Sequence, residues 1–158
     1  MNTVKYPYQS LDDFLKSKRL DVDGIADDGF GAISPVKGRL IDAVILFVDM
    51  RSFSTRSKGL SPIETLILAN NFFAWISAQG LKGRPGIVDK YVGDEVMVIF
   101  SKEFGCNDPF LDAINAARCM AEKDFLGFYM HMGIAADSVV VGYWVPRSST
   151  TVLSMVVL

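Results

Sequence analysis

The chain has little of what marks most metal-cluster, membrane and nucleic-acid chemistries. It holds one histidine, His131, and two cysteines, Cys106 and Cys119, in 158 residues. Neither cysteine has metal-ligand spacing, so a zinc cluster is excluded and both thiols read as reduced and structural. Basic residues number 16 against 18 acidic ones and form no cluster. Binding a phosphate backbone needs a concentrated basic patch, so no nucleic-acid partner is expected. No apolar run approaches the roughly 20 residues of a membrane-spanning helix. The N-terminus also lacks the charged-then-apolar pattern of a signal peptide. The expectation is a soluble, cytoplasmic protein with no membrane partner. His131 alternates with apolar neighbours and has no second His, Cys or paired carboxylate near it in sequence, so it reads as structural.

What is present is an apolar chain, 50% hydrophobic, with enough length for one core. Ser10-Leu11-Asp12-Asp13 resembles a capping box and predicts a short helix to about Leu20. The Asp- and Gly-rich stretch after it superficially resembles a calcium loop but lacks the sixth-position Gly and twelfth-position Glu, so it reads as a solvated connector. Residues 1–42 are therefore read as an N-terminal helix and connector, and 43–158 as the main domain. Residues 43–48 are continuously apolar and predict a buried central strand ending at Asp49.

Ser61-Pro62-Ile63-Glu64 combines an N-cap, an N1 proline and a capping-box glutamate, predicting a helix to about Ala78 that Gly80 stops. Residues 87–92 and 95–100 predict a hairpin with Gly93-Asp94 at its tip. A second helix is predicted from Asp108-Pro109 to Asp124, with Phe110, Ile114, Ala117 and Ala121 on its apolar face. Phe128 to Ile134 and Val139-Val140-Val141 predict two further strands. This order is an α+β arrangement, a ferredoxin-like βαββαβ sheet with an added strand.

In that topology the first strand lies beside the hairpin, so Asp49 and Asp94 meet. Two close carboxylates repel, and a divalent cation between them relieves the cost. Hard oxygen donors favour Mg²⁺ or Mn²⁺, ions that clamp triphosphates in phosphoryl transfer. The Phe72-Phe73 and Trp75 group at helical spacing reads as core or subunit interface.

The segment Phe47-Val48-Asp49-Met50-Arg51-Ser52-Phe53-Ser54 resembles the first metal-binding motif of class III nucleotidyl cyclases. Asp89-Lys90-Tyr91-Val92-Gly93-Asp94-Glu95-Val96-Met97-Val98-Ile99-Phe100 resembles their second, D-K-x-x-G-D-x-x-M-x-x-F. His131-Met132-Gly133-Ile134-Ala135, with Val139-Val140-Val141-Gly142, is similar to the later R-x-G-I-x-x-G-x-V-x-x-G segment. The resemblance runs from about residue 41 to the end. It implies the class III cyclase fold and conversion of a nucleoside triphosphate to a 3′,5′-cyclic nucleotide and pyrophosphate, in a signalling role.

It further implies two Mg²⁺ or Mn²⁺ ions per site held by Asp49, Asp94 and the Met50 carbonyl, and backbone amides of Arg51, Ser52, Phe53 and Ser54 on the β- and γ-phosphates. Lys90 is implied to read the base of the neighbouring protomer's substrate, hence a homodimer with shared active sites. Thr151 is matched to the second base-reading position, a pair similar to the adenine-reading pair of many bacterial adenylate cyclases.

The pattern departs from the family in places. Ser52 stands for a customary glycine and His131 for a customary arginine. Leu158 stands at the transition-state asparagine, and the chain stops before the arginine, so the domain reads as incomplete at its C-terminus. Two alternatives stay open: a stand-alone pyrimidine cyclase making cyclic UMP or CMP in bacterial anti-phage defence, and a non-catalytic cyclase-like module that binds nucleotide or dimerises. A diguanylate cyclase is disfavoured because Val92 occupies the place of its second signature glycine.

Overall fold

The computed structural model describes residues 7–27, 33–122, 127–144 and 153–157, without the side chains of 23–27, 33–36, 79, 90–92, 144 and 153–157. The organising element is β2 (Ile33–Met50), an 18-residue strand. Its even-numbered side chains Val44, Leu46, Val48 and Met50 enter one core, and Ile41, Ala43 and Ile45 enter another on the opposite face. Burial on both faces is why this stretch is apolar without alternation.

Around β2 the sheet runs β3 (Ile87–Val92), β4 (Glu95–Phe100), β2, β5 (Met130–Trp144), β6 (Leu153–Val157), with β1 (Val22–Asp27) also paired to β2. Every pairing is antiparallel. The ferredoxin-like βαββαβ core is present as β2, α3 (Pro62–Trp75), β3, β4, α4 (Pro109–Glu122) and β5. It carries two added strands, β1 and β6, rather than one.

Three local expectations are corrected. Residues 22–27 are strand, not solvated loop: their Asp and Gly are turn formers, but the first half of β2 offers a partner from Val22↔Gly38 to Asp27↔Ile33. β2 thus runs unbroken across positions 42 and 43. Met130–Trp144 is one strand, not two, because β2 is long enough to pair it from Met50↔Met130 to Lys37↔Tyr143. On α4 the buried residues are Ala113, Ala116 and Met120, while Phe110 and Ile114 remain 55% and 45% exposed. Small side chains let the helix sit close to the sheet, and the Met120 side chain fills the space beside Gly80.

Other signals appear in the structure as read. Ser61 accepts a hydrogen bond from the Glu64 amide, and the Glu64 carboxylate accepts from the Ser61 amide at 2.8 Å. The α3 helix ends in a π-helical turn, Ile76–Gly80. The hairpin tip needs Gly93, whose φ of +64° suits glycine.

The opposite face of the sheet is covered by α1 (Leu11–Ser17), which buries Leu11, Phe14 and Leu15. Phe14 is fully buried and stands edge-on to Tyr8 and to Phe104, with centroids 5.2 and 4.8 Å away. The Tyr143 hydroxyl donates to Asp12 at 3.1 Å, joining α1 to β5. Cys106 is buried, and burial pushes its thiol up to about 11, so it stays protonated and inert. Among the described residues no helix is long and apolar enough to cross a membrane.

Gly38 and Gly142 face each other across β2 and β5. A Cβ on Gly142 would stand 2.6 Å from the Lys37 carbonyl oxygen and 2.9 Å from the Gly38 Cα. Gly142→Ala is therefore expected to destabilise the fold by about 1–3 kcal/mol, as overpacking against backbone does, measured by urea unfolding. An unchanged midpoint would show that the strands can part at this crossing.

β6 pairs β5 over Val140–Trp144. Among the described residues no strand pairs the same edge of β5 from Met130 to Ser138.

Candidate active site

The end of β2 is tied down on both sides. The Met50 amide donates to the Asp94 carbonyl at 3.3 Å, fastening the strand to the hairpin tip, and the Arg51 amide donates to the Tyr129 carbonyl at 2.7 Å. The Met50 side chain is buried in the helix-side core and anchors the position. Asp49, one residue earlier, therefore points to the opposite face. In register it lies between Glu95 on β4 and His131 on β5.

These restraints bring Asp49 and Asp94 together. Burial raises the Asp94 carboxyl above its ordinary value, and hydrogen-bonding contact with Asp49 raises it further, with the Asp49 and Glu95 charges adding to the effect. On its other side Asp49 meets the imidazole: His131 Nδ1 lies 3.5 Å from Asp49 Oδ2. Among the described residues no three His, Cys, Asp or Glu side chains converge on one point. Any cation here is held by side chains in pairs, with carbonyl, phosphate or water oxygens completing its shell. The pair fits a divalent ion, since it is a close set of hard oxygen donors in mutual repulsion.

Beyond Arg51 the chain turns through Ser52, at φ 62° and ψ 31°, into the single-turn helix α2 (Phe53–Arg56). Ser52 is the one non-glycine residue with positive φ among the described residues. This left-handed geometry explains why the position suits glycine, and the residue that stands there is strained. Phe53 packs on the helix-side core, whereas Arg51, Ser52 and Ser54 are exposed. Arg56 bonds the Gly127 carbonyl and lies over the Phe128 ring at 5.7 Å, bracing the turn from below. Ser52→Gly is expected to raise stability by about 0.5–1 kcal/mol, the left-handed strain less the extra chain entropy of glycine. A fall in melting temperature would contradict that strain.

The backbone of Lys90 pairs with Met97 just after the bulge at Asp89, but its side chain lies outside the described residues, as does Thr151 altogether. The residue that sequence reasoning missed is His131. Its signal was the register between β2 and β5, which no local pattern around a lone histidine reveals. An open cleft of about 860 Å³ lies at the other end of the strands, lined by Leu40, Asp42, Ser101, Asp108, Phe110 and Asp137 among others. It holds none of the sequence-derived site residues. The carboxyl with the raised proton affinity lies beside Asp49 instead.

No protein-family model matches the chain. An adenylate cyclase of Anabaena cylindrica is 29% identical over 99 residues, 63% of this chain and 19% of that protein. The chain thus spans about a fifth of that relative's length. A bacterial light-regulated adenylyl cyclase structure superposes with a TM-score of 0.63 at 26% identity, covering 77% of this chain and 36% of that one. The fold is that of the class III nucleotidyl cyclase catalytic domain. A guanylate cyclase domain from Catenaria anguillulae, solved with GTP, shares this cyclase fold at a TM-score of 0.65 and 17% identity, over 75% of this chain and 66% of that one. In this fold the paired aspartates lie where the central strand meets the hairpin tip.

Proposed function

We propose that this chain is the catalytic domain of a nucleotidyl cyclase, forming a 3′,5′-cyclic nucleotide and pyrophosphate from a nucleoside triphosphate. The observation that carries this reading is the contact between Asp49 and Asp94 at the strand end of a cyclase fold. Asp49, Asp94 and the Met50 carbonyl would hold Mg²⁺ or Mn²⁺, two ions per site. When bound, such ions neutralise triphosphate charge and acidify the attacking ribose hydroxyl.

The chain's own part is placement. The amide of Arg51 is engaged with Tyr129, which leaves those of Ser52, Phe53 and Ser54 to donate to the β- and γ-phosphate oxygens. Lys90, from the neighbouring protomer, and Thr151 would read the base, and this pair favours ATP. Incubation with each of the four triphosphates and Mn²⁺, with products identified by mass, tests the proposal. Cyclic AMP is expected. Cyclic UMP or CMP would instead support the pyrimidine, anti-phage reading, and triphosphate binding without any product would support the non-catalytic module.

A shared site requires a homodimer. In its favour, α3 leaves Ile63, Leu66 and Ile67 exposed at 67%, 58% and 53%, beside Leu60. Three adjacent aliphatic side chains in water form an apolar patch suited to a second copy. Ile67→Asp is expected to leave the fold intact, shift sedimentation to the monomer and lower activity with it. A monomeric variant of full activity would contradict the shared site.

A further inference from the structure

The exposed His131 flanks Asp49 on the side away from Glu95. It lies on β5 directly opposite Asp49 on β2, on the same face of the sheet, where cross-strand side chains stand close. Its Nδ1 is 3.5 Å from Asp49 Oδ2, beyond the roughly 2.7–3.2 Å range of a good N–H···O bond. Two donors bound cis to one ion, each about 2.0–2.2 Å from it, stand about 3 Å apart. The observed separation leaves the hydrogen bond open and lies within the span of roughly 3–4 Å available to two donors that share one ion. Both side chains are open to solvent, the imidazole at 66% and the carboxylate at 42%.

We infer that His131 is a ligand, making with Asp49 a mixed nitrogen and oxygen seat that takes Mn²⁺ in preference to Mg²⁺. This rests on the reading of Asp49 and Asp94 as metal carboxylates. Imidazole is a ligand for first-row transition ions, whereas Mg²⁺ is held by oxygen donors and water. Mn²⁺ is the transition ion that also suits the carboxylate and phosphate oxygens expected around this seat. Asp49, flanked by a carboxyl on one side and an imidazole on the other, can thus serve two ions of unlike preference. The Asp94 side would stay an all-oxygen seat.

The test uses the full chain without added histidines, loaded with Mn²⁺ alone. His131 is the one histidine in the sequence, so any imidazole ¹⁴N coupling in the electron spin-echo modulation of bound Mn²⁺ reports on that ring. The coupling is expected in the unaltered chain and absent in His131→Gln. Titration calorimetry should show His131→Gln weakening Mn²⁺ at least about tenfold and Mg²⁺ far less. His131→Arg, which restores the residue customary in the cyclases, should behave in the same way. Bound Mn²⁺ without imidazole coupling, and with an unchanged Mn²⁺ to Mg²⁺ ratio in both variants, would overturn the inference while leaving the carboxylate pair as a metal site. Failure of the unaltered chain to bind either ion would overturn both.

Discussion

Asp94→Asn is expected to lower cyclic nucleotide formation at least about 10³-fold while raising the thermal stability of the ion-free protein. The loss follows from removing one of two carboxylates that seat the ions, whose charge stabilisation amounts to several kcal/mol, with about 1.4 kcal/mol per decade of rate. The gain follows from the amide, which has the same shape, carries no charge and donates to Asp49 where the carboxylate repels it.

The pH dependence has a definite sign. The folded Asp94 carboxyl lies above its ordinary value of 3.8, so its contribution to stability is complete below 3.8 and is lost as pH rises through the folded value. The variant should therefore exceed the unaltered chain at neutral pH and lose that advantage below about pH 4. Divalent ions should raise the melting temperature of the unaltered chain and leave that of Asp94→Asn nearly unchanged. An active Asp94→Asn, or one less stable at neutral pH, would remove the basis for treating the pair as a metal site.

Phe14→Ala is expected to destabilise the domain by about 3–5 kcal/mol, the usual cost of deleting a fully buried aromatic ring. Phe14 lies on α1, well before the apolar strand that reads from sequence as the start of the domain, yet it is packed against Tyr8 and Phe104 over the sheet. Against a total stability of about 5–15 kcal/mol for an ordinary domain, such a loss is severe. The denaturant midpoint measures it. A change below about 1 kcal/mol would make α1 a peripheral attachment, free to regulate rather than brace the sheet.

The features most legible in sequence were those fixed by local chemistry. Ser61, Pro62 and Glu64 specify a helix start through bonds within a single turn, and Gly93 specifies a hairpin through its own backbone. The meeting of Asp49 and Asp94 was also legible, because strand order in a βαββαβ unit follows from the alternation of elements. Less legible was anything that depended on a distant partner. Asp23, Gly24 and Asp27 have turn composition, and they pair as strand because β2 continues back to Ile33. Phe110 and Ile114 look like core residues, and they lose that place to Ala113 and Ala116 because close packing on the sheet rewards small side chains. His131 is adjacent to Asp49 through strand pairing alone, and neither residue's own neighbourhood in sequence announces it.

The one-sided pairing of β5 bears on how the protein behaves at high concentration. Among the described residues no strand covers the edge of β5 away from β2 between Met130 and Ser138, beside an exposed Ile134. Such an edge is a template for any extended peptide, including the same stretch of another molecule. Gly133 within this stretch and the charge of Asp137 near its end disfavour that recruitment. A substitution that removes the glycine or the charge is therefore expected to favour edge-to-edge association even where it leaves Asp49 and Asp94 untouched.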